Sequence, residues 1–169
     1  MDQLIAAGKV VSDTRTNFLR VPIGVAVRSD AAKPDISSVE ALKRTLLSAK
    51  SIAYLKVGVS GLYLDHLFET WGMAKELQPK SKRTETDTVG ELVAQGNAEI
   101  GVTAIATLIA TPGIEIVGPI PNEIQSYVSF QGAVSSNAFV PDAAGELIRL
   151  VTGPNAVLII RSKGMEPWQ

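Results

Sequence analysis

Along this chain the apolar positions switch between short continuous runs and i, i+3, i+4 stripes, the two periods that separate strands from helices. Val21 to Val27 is an apolar run rich in β-branched residues, with Pro22 at its start, and predicts a strand. Ser37 and Glu40 have the spacing of a capping box ahead of a helix carrying Val39, Leu42 and Leu46. Ser51 to Leu55 predicts a strand, and Gly61 to Trp71 a helix whose Leu64, Leu67, Phe68 and Trp71 share one face, with Gly72 as its cap. Lys80 to Thr86 reads as a polar extended segment. Thr88 and Glu91 repeat the capping-box spacing before a helix that Gly96 ends. Glu99 to Ala104, Ile114 to Ile120 and Ser126 to Val134 predict further strands, with a helical turn at Ala104 to Ala110. Two closing helices are predicted. The first starts at Pro141 and buries Ala144, Leu147, Ile148 and Val151; the second starts at Pro154, carries Val157 and Ile160, and ends at Gly164. Near the start, Leu4 to Ala7 read as a helix end stopped at Gly8.

Strand-then-helix units in series predict an α/β fold, a parallel-rich sheet covered by helices. Ligands of open α/β sheets sit outside the carboxyl ends of strands, which directs attention to two loops. Gly58 to Gly61 leads from a strand into a helix start, where backbone N–H groups lack intrahelical partners and the helix dipole adds positive potential. Val102-Thr103 ends another strand and would face the same cleft.

Composition narrows the chemistry. The 169 residues, 46% of them hydrophobic, suffice for one domain or two small lobes. Sixteen basic and seventeen acidic residues nearly cancel, so neither nucleic acid nor an anionic membrane surface is an expected partner. The absence of cysteine excludes disulfides, thiolate metal sites and cysteine nucleophiles, and the single histidine, His66, excludes a His-rich metal centre. No window approaches the roughly 20 apolar residues of a membrane helix. The first residues lack the basic region and long apolar stretch of a signal peptide.

Several strings resemble the type II periplasmic solute-binding proteins of the molybdate-binding kind, the substrate-binding components of ABC transporters. They include Leu4-Ile-Ala-Ala-Gly-Lys-Val-Val-Ser12, Ile23-Gly-Val-Ala-Val-Arg28, Lys33-Pro-Asp-Ile-Ser-Ser-Val-Glu-Ala-Leu-Lys43, Val59-Ser-Gly-Leu-Tyr63, Glu91 to Gly101 and Gly118 to Tyr127. The resemblance runs in order over essentially the whole chain, ending in Ile159 to Pro167. It implies two α/β lobes joined by crossing strands, with an oxyanion or small carboxylate held between them by loop N–H groups and hydroxyls. Family members carry roughly 70 to 80 more residues at the N-terminus, an ordinary sub-domain size. The expected organisation is therefore a first-lobe remnant over 1–20, a complete second lobe with crossing strands over 21–134, and C-terminal helices over 135–169.

The resemblance carries over to five positions as ligand-binding candidates: Ser60 and the Gly61 amide, Thr103, Tyr127 on the returning strand, and Arg20 ahead of the first crossing strand. Each has an ordinary reading beside it. Ser60 reads as a helix cap as well as an anion contact. Thr103 reads as a hydroxyl serving a local backbone group, Tyr127 as a half-buried aromatic, and Arg20 as a solvated charge. His66 beside Asp65 invites a general-base reading, but no second titratable group is recognisably paired with it, so no catalytic residue is assigned. Trp168 reads as a cover for apolar surface near the C-terminus.

The expectation is a substrate-binding component of an ABC-type uptake system, periplasmic by resemblance, binding a small anion without cofactor or metal and partnered by an ABC permease. The alternative is an isomerase of a small polycarboxylate on the same fold, since fold alone does not settle function. A homodimer formed through the truncated lobe is a third expectation.

Overall fold

The computed structural model describes residues 1–168. Its helices are α1 (Asp2–Ala6), α2 (Val39–Ser48), α3 (Val59–Thr70), α4 (Ala74–Leu77), α5 (Val89–Ala94), α6 (Ile105–Ile109), α7 (Pro141–Thr152) and α8 (Pro154–Ser162). Its strands are β1 (Thr16–Arg28), β2 (Ile52–Leu55), β3 (Ser81–Thr84), β4 (Ile100–Ala104), β5 (Ile114–Pro119), β6 (Tyr127–Gly132) and β7 (Glu166–Pro167). The chain divides into two compact units, one of residues 1–21 with 129–168 and the other of Pro22–Val128. The chain passes between them twice, within β1 and within β6.

In the Pro22–Val128 unit the strand order is β3-β2-β4-β1-β5. β2 pairs in parallel with β3 and β4, while β1 runs antiparallel to β4 and to β5. The sheet is thus mixed. Its parallel part is the three strands joined by helices, β2, β3 and β4, and β1 runs antiparallel to its neighbours. The run predicted over Val21 to Val27 belongs to a strand thirteen residues long, whose last half is buried on both faces. Its first half is half-buried and mixed in character, so hydrophobic periodicity did not reveal it.

Two layers cover the sheet. On one face Ile23, Val25, Ile52, Tyr54, Ile100 and Val102 pack with Leu42 and Leu46 of α2 and Leu64, Leu67 and Phe68 of α3. On the other, Ala53 packs with Val89 and Val93 of α5. Each large apolar side chain so buried contributes about 1.5–3 kcal/mol, so this unit's core is its main source of stability. The Ser37 capping box is displaced by one residue. Ser38 is the N-cap of α2 and its hydroxyl accepts from the Ala41 N–H at 3.1 Å, while the Ser37 N–H is taken by the Asp35 carboxylate at 3.0 Å. Thr88 does precede α5, but its side chain makes no capping bond.

In the other unit, β7 pairs with the first half of β1 at Leu19 and Arg20, and Val10 bridges Ser135. Gly132 has no room for a side chain, since an added Cβ would lie 2.1 Å from the Phe18 ring. The buried face expected of α7 does not exist in this structure. Leu147 is 59% exposed, Ala144, Ile148 and Val151 are half-buried, and Ile160 of α8 is the buried residue of the pair. An apolar groove of about 590 Å³ runs along both helices, lined by Phe18, Leu19, Val151 and Ile160 among others. Trp168 is 42% exposed, and its N–H donates to the Phe18 carbonyl at 3.2 Å.

Candidate functional site

β2 ends at Leu55, and Lys56, Val57 and Gly58 turn the chain into α3. The turn requires glycine at Gly58, whose φ of 88° lies in the left-handed region. Gly58 is also the N-cap and offers no side chain to the first turn. The first intrahelical bond runs from the Leu62 N–H to the Gly58 carbonyl at 3.2 Å, which leaves Val59, Ser60 and Gly61 as orphan donors. Ser60 is therefore inside the helix rather than its cap, and it is 3% exposed. Gly61 has a packing reason for its identity. A Cβ there would lie 2.0 Å from the Leu55 carbonyl oxygen, so only glycine lets α3 start this close to the end of β2.

Three groups hold that loop and helix in place. The Lys56 N–H donates to the Thr84 carbonyl at 2.7 Å, and its ammonium pairs with Glu85 at 2.6 Å. Asp65 of α3 accepts from the Tyr54 hydroxyl at 2.8 Å and forms an ion pair with Arg83 of β3. Burial, reinforced by the hydrogen bond to Asp65, pushes the Tyr54 phenol up to about 12. Tyr63, also raised by burial, donates from its hydroxyl to the Ile124 carbonyl at 2.6 Å. Asp65 is thus committed to structure, and its neighbour His66 is exposed.

Thr103 is the penultimate residue of β4, the strand adjacent to β2, so it lies near the same carboxyl edge of the sheet as the start of α3. It is fully buried, and its hydroxyl has no hydrogen-bond partner. Strand alternation puts its side chain on the face of Gly101, where an added Cβ would meet Val89 and Val93 of α5. α3 packs on the opposite face, so Ser60 and Thr103 share an edge but their side chains approach from different sides of the sheet. Tyr127 joins the same edge. Ser126 before it accepts from the Ile23 N–H at 3.3 Å, and Ile23 lies opposite Ala104. Tyr127 itself is half-buried. Arg20 lies in the other unit, where its Nε pairs with Glu166 at 2.7 Å. Among the described residues no cluster of three or more carboxylate or imidazole groups could hold a metal ion.

The uncapped start of α3, the buried Thr103 hydroxyl and Tyr127 thus lie along one edge of the sheet. Residues 1–166 match the family described as bacterial extracellular solute-binding protein. The chain belongs to that family. It is 37% identical over 168 residues to an aconitate isomerase from Pseudomonas sp, a match that takes in 99% of this chain and 64% of the relative. The chain thus spans just under two thirds of that curated relative's length. Among solved structures, the substrate binding domain assigned to a molybdenum ABC transporter from Clostridium difficile superposes with a TM-score of 0.82 at 18% identity, over all of this chain and 73% of that one. The periplasmic molybdate-binding protein of Azotobacter vinelandii gives 0.73 at 20% identity, over 99% of this chain and 74% of its own. A tungstate binding protein from Desulfovibrio alaskensis gives 0.62 at 14%, over 99% and 74%. At these identities the likeness establishes the fold, the α/β architecture of periplasmic binding proteins. Among the described residues no single helix is long and apolar enough to cross a membrane.

Proposed function

We propose that this solute-binding chain holds a small oxyanion or carboxylate at the α3 start, as the substrate-binding component of an ABC-type uptake system in the periplasm. The observation that carries the reading is the uncapped first turn of α3, whose three orphan N–H groups open beside the nearly buried Ser60. Oriented N–H dipoles bind a compact anion using no side-chain charge, which suits a chain whose net charge is −1. In this reading the Ser60 hydroxyl and the Ser60 and Gly61 amides form one arm, while Thr103 and Tyr127 contribute from β4 and β6. Arg20 adds little, because Glu166 already offsets its charge.

Calorimetric titration with molybdate, tungstate, sulfate, citrate and trans-aconitate tests it. At least one of these anions should bind saturably at a one-to-one ratio. Ser60→Ala should then weaken that anion about tenfold, the loss of roughly one charge-assisted hydrogen bond. Titrations flat for all five anions, or a Ser60→Ala variant that binds as tightly as the parent, would contradict the assignment.

A second reading, isomerisation of a small polycarboxylate at this site, is favoured by the 37% identity to an aconitate isomerase. It requires a proton acceptor within reach of the substrate. Asp65 is engaged by Tyr54 and Arg83, which leaves the exposed Glu123, on the turn preceding Gln125, as the carboxylate closest in sequence to Tyr127. Incubating the chain with trans-aconitate and following the vinyl protons by NMR separates the two readings. Appearance of the cis isomer, lost in Glu123→Gln, would select the enzyme, and an unchanged spectrum beside measurable binding would select the carrier.

A further inference from the structure

The Gln125 side chain, which no sequence signal marks, sits where β1, β5 and β6 converge. Its Oε1 accepts from the Ile23 N–H at 2.9 Å and from the Ser126 N–H at 3.0 Å. Its Nε2 donates to the Ile23 carbonyl at 3.0 Å and to the Ile120 carbonyl at 3.2 Å. All four partners are backbone groups, and the amide meets both the N–H and the C=O of Ile23, as an adjacent strand would. Ile23 is fully buried; its N–H also donates to the Ser126 carbonyl at 3.3 Å and its carbonyl accepts from the Ile120 N–H at 3.1 Å, so the Gln125 amide adds a second partner to each of these groups. β5 has ended at Pro119 and β6 starts only at Tyr127, so the Gln125 amide spans the gap between two ladders. The preceding residue is held as well, since the Tyr63 hydroxyl of α3 donates to the Ile124 carbonyl at 2.6 Å. The backbone leading into Tyr127 is therefore pinned at three consecutive residues, to α3 through Ile124 and to β1 through Gln125 and Ser126.

We propose that Gln125 is the positioning residue of the anion site, fixing Tyr127 against the sheet edge that carries Ser60 and Thr103. The proposal rests on the reading of that edge as the anion site. It does not make Gln125 a ligand contact; its four bonds are all spent on backbone.

A double-mutant cycle with Tyr127→Phe tests it, using molybdate and trans-aconitate as probes in calorimetry. Gln125→Met removes all four bonds at similar volume. Gln125→Glu keeps the acceptor side and turns an oxygen towards the two carbonyls, a second variant should the first fail to fold. If Gln125 acts through the Tyr127 hydroxyl, either variant should weaken the probe that binds about tenfold in the parent and less than about twofold in the Tyr127→Phe background. Equal weakening in both backgrounds would mean general loosening of the unit and would overturn the proposal. Unchanged affinity in Tyr127→Phe alone would overturn it too, by removing the phenol from the site. Where the parent binds tungstate, sulfate or citrate instead, that anion is the probe; a parent chain that binds none of the five anions would refute the site itself, an outcome distinct from failure of the cycle.

Discussion

Gly61 and Ser38 show how single residues decide local structure here. The Leu55 carbonyl lies where a Gly61 side chain would go, and a backbone oxygen on a packed strand has little room to retreat. Gly61→Ala should therefore lower unfolding stability by about 1–3 kcal/mol, the usual range for overpacking, and weaken anion binding with it. Chemical denaturation of both proteins checks the first part, and equal stabilities would show that α3 can move. Ser38→Ala removes the cap of α2 and should cost about 1 kcal/mol without touching the site. Tyr54 gives a pH signature. Its folded value of about 12 lies above the unfolded phenol near 10, so the neutral form is the one the fold favours. That contribution is complete below pH ~10 and is lost as pH rises from about 10 towards about 12. The stability gap between the parent and Tyr54→Phe should narrow across that window, and parallel pH profiles would contradict the burial argument. Candidate residues were only partly legible at this scale. Glycine-to-helix spacing revealed the α3 start, but the sequence pattern placed the α2 cap at Ser37 rather than Ser38 and passed over Gln125 and Arg83. Their roles depend on partners 102 and 18 residues away, which no local pattern records.

Elements were legible wherever burial follows the element's own period. β2, β4, α3 and α5 lie within a residue or two of their sequence-derived bounds because each has apolar neighbours inside its own unit. β1 was read at half its length, since its first part has one mixed face and no continuous apolar run. α7 was placed correctly but its stripe was read as buried, and the described residues supply no layer opposite it. That contrast is measurable. Leu158→Lys, at a side chain 78% exposed, should shift stability by no more than about 0.5 kcal/mol. Ile160→Ala, two residues on and 7% exposed, should cost about 2–4 kcal/mol. Similar losses in the two variants would mean that the α8 face is covered in solution.

For the whole molecule, the buried core and the proposed anion site fall in the same unit. Pro22–Val128 contains most of the buried hydrophobic residues, β2, β3, β4 and β5 with the second half of β1, and the α3 start. The other unit is built from α1, α7, α8 and short pairings to β1. Native-state hydrogen exchange should accordingly find slower amides in β2 and β4 than in α7, whose residues are at best half-buried. The α/β class was readable from strand-helix alternation, whereas the antiparallel pairing of β1 with β4 and β5 was not, because the pairing of strands distant in sequence leaves no local pattern. Thermal unfolding of the chain against molybdate, tungstate, sulfate, phosphate, citrate and trans-aconitate tests the anion site at the start of α3. A ligand bound only by the folded state raises the midpoint with concentration. Such a rise is expected for one compact anion or polycarboxylate, and it should be smaller in Gly61→Ala and in Ser60→Ala. A midpoint that stays put with all six anions would contradict an anion site at the start of α3.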